Sequence, residues 1–122
     1  MGSLLFGTAG RIGNDKALDL LSDFLIEGEE ILLAFKVVRD VHALTTRRML
    51  SLNVQGVTGS KKELRTIPWS KISAFSIESA GTFDMDAELK LYVSGLAPIE
   101  IKLDKGTPFA EVQRVLAQQV AG

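Results

Sequence analysis

His42 is the single histidine of this 122-residue chain. A histidine alone on a strand pattern, where no Ser or Asp near it in sequence forms an obvious triad, is expected to be structural. The run Asp84-Met85-Asp86-Ala87-Glu88 is the strongest local cluster of carboxylates. Oxygen ligands at alternate positions suit Ca²⁺ or Mg²⁺, but the glycine and the final glutamate of a calcium loop are missing. Solvated charges at a strand edge are therefore the better reading, and no metal or cofactor is expected. Gly56-Val57-Thr58-Gly59-Ser60-Lys61-Lys62 lacks the spacer of a phosphate-binding loop and is not followed by a helix pattern. Gly7-Thr8-Ala9-Gly10-Arg11-Ile12-Gly13 is not preceded by a strand, so it lacks the context of a dinucleotide site. The absence of cysteine removes thiolate catalysis and cysteine-bound zinc. No catalytic grouping is legible, and an enzyme is not expected.

Charge narrows the partners. Fourteen basic and fifteen acidic residues give a net charge of −1, without the basic excess of a dedicated nucleic-acid binder. Lys36, Arg47, Arg48, Lys61 and Lys62 are the candidates for a local anion patch toward lipid or phosphate. Lys36, Arg39, Asp40, Arg47, Glu78, Asp84, Asp86 and Glu88 are the candidates for a polar interface, where opposite charges set register between partners. The N-terminus has neither the charged start nor the apolar run of a signal peptide, and Phe6 breaks the myristoylation pattern. No stretch approaches the roughly 18 apolar residues of a spanning helix, so the expected location is the cytoplasm.

The elements that must carry these residues follow from periodicity. Residues 1–27 read as a glycine-containing lead-in and a helix over about 15–26, capped by Asn14 and stopped at Gly28. Leu18, Leu21, Phe24 and Leu25 give that helix its apolar stripe. Residues 29–104 read as about seven short strands. The first, around Ile31–Val38, is apolar enough to be buried on both faces over part of its length. Thr45-Thr46-Arg47-Arg48 and Gln55–Gly59 are turns. The later strands alternate, most cleanly at Ile99-Glu100-Ile101-Lys102-Leu103. Residues 107–121 form a closing helix, with Thr107 as cap, Pro108 in the first turn and Phe109, Val112, Leu116 and Val120 on one face. The expectation is one mainly β domain over 1–122, an antiparallel barrel or sandwich closed by a C-terminal helix.

Five segments in order resemble one family. They are Gly28-Glu29-Glu30 with Phe35-Lys36-Val37-Val38-Arg39-Asp40, Thr45–Arg48, Gln55–Lys61, Ile67-Pro68-Trp69-Ser70-Lys71-Ile72 and Phe75–Lys90. Together they are similar to the bacterial pleckstrin-homology-like (PH-like) domain proteins, a family of unknown function. Thr46, Arg47, Trp69 and Ser79 depart from the pattern. The resemblance implies a seven-stranded PH-like barrel or sandwich with a C-terminal capping helix. It also implies homo-oligomeric rings, pentameric for single-domain members, with a hydrophilic surface for protein–protein interaction where strands of neighbouring protomers meet. Phosphoinositide binding is not implied, because Thr45 stands where a basic residue is wanted two positions before Arg47. Fold alone does not carry that function.

Overall fold

Strands β2 (Ile31–Val37), β3 (Asp40–Thr45) and β4 (Arg48–Gln55) are apolar on both faces, and each face has its own cover. In the computed structural model, which describes residues 9–79, 87–104 and 107–122, they are the middle of a five-stranded antiparallel sheet of order β1-β2-β3-β4-β5. Its edges are β1 (Gly10–Ile12) and β5 (Lys61–Pro68). A second antiparallel sheet holds β6 (Ile72–Ser79), β7 (Ala87–Val93) and β8 (Ile99–Leu103) in that order. The seven expected strands are present. The eighth, β1, falls in the lead-in that reads as irregular, because three residues containing a glycine carry no usable periodicity.

Between the sheets lies the main core, in which Leu33, Phe35, Leu44, Met49, Leu89, Leu91 and Leu103 are almost fully buried. Helix α2 (Phe109–Ala121) inserts Val112 and Leu116 into it and packs on β6, β2 and the short 3-10 helix Trp69–Lys71. A second core lies on the outer face of the larger sheet. There Ala17 and Leu21 of α1 (Asn14–Leu21) cover Ala34, Val41, Ala43, Leu50 and Leu52. Two covers explain why the middle strands lack clean alternation.

One corner of the sandwich is stitched and the other open. Ala9 N–H donates to Lys102 O at 2.7 Å, and Asp104 N–H donates to Ala9 O at 3.0 Å, joining the start of β1 to β8. At the opposite corner β5 and β6 are each strand-paired on one side only, β5 to β4 and β6 to β7.

Helix ends differ from expectation. Gly13, not Asn14, is the first cap, and Asn14 Nδ2 donates instead to Ile31 O at 3.2 Å and Leu32 O at 3.4 Å, where β2 shifts register. α1 ends at Leu21 and continues as a 3-10 turn to Phe24. Gly28 then turns the chain with φ 81°. At the C-terminal helix Pro108 occupies the cap, so Thr107 lies one residue too early to serve.

Candidate functional site

A carboxylate buried beneath the β3–β4 turn organises one end of the molecule. The Glu29 side chain is wholly inaccessible to solvent. Its Oε2 accepts from Arg48 Nε at 2.9 Å and from Thr45 Oγ1 at 2.6 Å. Its Oε1 accepts from Arg48 Nη2 at 2.9 Å and from the Ile26 N–H at 3.1 Å. The pairing is the bidentate fork that guanidinium and carboxylate form best. Burial pushes the Glu29 carboxyl up, but hydrogen bonds from Arg48, Thr45 and Ile26 outweigh it and bring it from 4.5 down to about 2. Arg48 also donates to Phe24 O at 2.7 Å and to Thr66 Oγ1 at 2.8 Å, and Trp69 Nε1 donates to Thr45 O at 2.8 Å. The network ties the segment after α1, the β3–β4 turn, β5 and the 3-10 helix together. Its acceptors and donors are filled by each other, so its work is structural.

The inner face of the larger sheet changes character along its strands. Leu44, Met49 and Ile67 form one cross-strand row in the core. Two residues along, the equivalent row is His42, Ser51 and Arg65. His42 Nδ1 and Ser51 Oγ are 2.9 Å apart. Burial lowers the His42 pKa below 6.5, and the nearby Asp40 charge opposes that only in part. Asn53 Nδ2 donates to Glu63 Oε1 at 2.9 Å in the next row. Between this polar stretch and β8 is a cleft of about 240 Å³, whose apolar wall includes Val37, Ile67, Ile99 and Ile101. Arg65 lines it and makes no ion pair among the described residues.

The five basic candidates for an anion patch are not brought together. Lys61 sits opposite Gln55 and Arg48 opposite Pro68, at the two ends of β4. Seven residue steps of about 3.3 Å separate those ends by about 23 Å. Arg48 is withdrawn from any surface patch by Glu29, its side chain being only 13% exposed. Arg47 shares that end, whereas Lys36 of β2 is next to Val37 and the β2–β3 turn at the other. Hairpin geometry divides what sequence listing groups.

The interface candidates divide as well. Arg39 Nη1 donates to Gly56 O at 2.9 Å, and Asp40 Oδ1 accepts from the Val54 N–H at 2.9 Å, so both fasten the β2–β3 turn to the β4–β5 hairpin. Glu78 and Glu88 are direct cross-strand partners on β6 and β7. Like charges placed so are unfavourable. Lys90 approaches Glu88 at 3.9 Å, and Lys102 is its partner on β8. Glu78 has no ion pair among the described residues. Asp84 and Asp86 lie outside the described residues, and no group of three metal-ligating side chains occurs among those described.

Sequence reasoning missed Glu29 as a buried charge and missed the partnership of His42 with Ser51. Glu29 and Arg48 are 19 residues apart, and only the strand register reveals the His42 row. A glutamate directly after a turn glycine was the one available hint of the first.

A two-sheet antiparallel sandwich with a helix packed against its inter-sheet core defines a PH-like fold. The chain belongs to the bacterial PH domain family, whose model matches residues 1–120. It is 39% identical over 115 residues to the uncharacterized protein YjqA of Bacillus subtilis, covering 93% of this chain and 92% of that one. Among solved structures it is similar to a DUF1696 family protein with a pleckstrin-homology domain from Shewanella loihica, with TM-score 0.82 and 37% identity over 93% of this chain and 98% of that one. It is also similar to a pleckstrin homology domain from Shewanella amazonensis, with TM-score 0.70 and 41% identity over 98% of this chain and 97% of that one. No helix among the described residues is long and apolar enough to cross a membrane.

Proposed function

We propose that this protein is a non-enzymatic interaction module of the cytoplasm that assembles head to tail into a homo-oligomeric ring of five protomers. The ring presents its polar strands to a protein partner. The observation that carries the reading is the pair of unlike open edges at one corner of the sandwich. Edge strand β5 bears Lys61 and Lys62, exposed and without ion pairs among the described residues. The β6–β7 hairpin bears Glu78 beside Glu88. A closed ring needs two different, complementary patches on each subunit. Unpaired strand edges are natural places for chains to meet, and lysines on such an edge discourage unselective pairing. Opposite charges then choose the register. Membership of the PH-like family supports the same reading. Light scattering coupled to gel filtration tests it: a mass five times that of the chain is expected, and a strictly monomeric species at tens of micromolar would overturn it.

A further inference from the structure

The polar row on the inner face of the sandwich has no place in that assembly. Core-facing positions of β3, β4 and β5 alternate on one face, and in the Leu44 row they are filled by apolar side chains. Two residues further along, the same face carries a histidine, a serine and an arginine. A row that breaks the apolar pattern costs desolvation, and departures of this sort concentrate where a protein uses its side chains. Here the row borders a cleft, and β8 supplies an aliphatic wall opposite.

We propose that the cleft between β3–β5 and β8 is a binding site for a small organic monocarboxylate, held by Arg65 and the Ser51–His42 pair. Three observations select that chemistry. The first is direction. Ser51 is 6% exposed, and its Oγ lies 2.9 Å from His42 Nδ1. When the neutral imidazole donates from Nδ1, Ser51 keeps its own O–H for an incoming oxygen. Arg65 adds a guanidinium fork, which matches a carboxylate in two bonds. The second is charge. The charged residues lining the cleft are Arg65 from the row itself and Glu100 and Lys102 from β8. Two cations and one carboxylate leave one net positive charge, which suits a monoanion and disfavours a dianion. The third is size. A volume of about 240 Å³ equals about eight waters of liquid at ~30 Å³ each. It therefore takes a short acid whose hydrocarbon part lies on Val37, Ile67 and Ile101.

The sole histidine gives an unambiguous reporter, the carbon-bound proton resonances of the His42 ring in the intact protein. Butyrate and benzoate are titrated as probes, with butyramide, inorganic phosphate and inositol trisphosphate in parallel. Saturable shifts are expected for the two carboxylates with a Kd of about 1 mM or tighter, and none for butyramide. Arg65→Gln should weaken binding at least tenfold, and Ser51→Ala should weaken it without moving the circular dichroism spectrum. Lys16→Gln, on α1 beyond the sheet, should bind as the parent does. Arg65 is exposed on an edge strand, so its variant is expected to fold. Absence of a saturable response to either carboxylate, equal affinity in Arg65→Gln, or stronger binding of phosphate or inositol trisphosphate would each overturn the assignment. None of these readouts depends on the oligomeric state.

Discussion

Replacing Glu29 by glutamine tests the account of the buried network most directly. The amide preserves shape and one acceptor but removes the charge that faces Arg48, whose own side chain is only 13% exposed. The carboxyl is brought from 4.5 to about 2 in the folded protein. At about 1.4 kcal/mol for each pH unit of difference, the ionised form contributes about 3 kcal/mol to folding. Removing one partner of a buried ion pair typically costs about 3–5 kcal/mol, in the same range. Because the folded pKa is depressed, the contribution is complete above pH 4.5 and is lost as pH falls toward 2. Urea unfolding followed by the fluorescence of Trp69, the sole tryptophan, is the assay, at one fixed protein concentration. Glu29→Gln should be about 3 kcal/mol less stable than the parent at pH 7, and the gap should close steadily below pH 4.5. Arg48→Met should cost a comparable amount, because it strands the carboxylate. The double variant should be more stable than the sum of the two losses predicts, since neither charge is then left alone. A single-variant cost under about 1 kcal/mol at pH 7, or a gap that does not change between pH 7 and pH 3, would refute the reasoning.

Other perturbations probe separate parts of the molecule. His42 is neutral in the fold because burial lowers its pKa, so its contribution is present above pH 6.5 and declines as pH falls below that value. His42→Gln should flatten the stability profile between pH 7 and pH 5, as read by thermal melts. Lys62→Glu should weaken assembly in light scattering, as should Glu78→Lys, and the two together should restore it at least in part if those charges face each other between protomers. Val38 is a β-branched residue held at φ 53° in the β2–β3 turn and 60% exposed. Val38→Asn should therefore stabilise the monomer fold by about 1 kcal/mol in denaturant titrations.

Alternation at Ile99–Leu103, the double-faced apolar run at Ile31–Val37 and the three- and four-residue steps of Val112 and Leu116 were enough to identify a mainly β domain closed by a helix. Those signals are local: burial on one or two faces imposes a period that the residues themselves display. The five family segments are equally visible along the chain. What no linear reading supplies is register and end. Arg47, Arg48, Lys61 and Lys62 look like one basic group in a listing, yet β4 carries them to opposite ends of the sheet. Arg48 is spent on a glutamate 19 residues earlier because folding a charge into the sandwich requires an immediate counter-charge. Likewise His42 is a solitary histidine until antiparallel pairing sets Ser51 and Arg65 beside it. Side-chain type and periodicity determined the elements, and pairing across the chain decided which of its polar residues are neighbours.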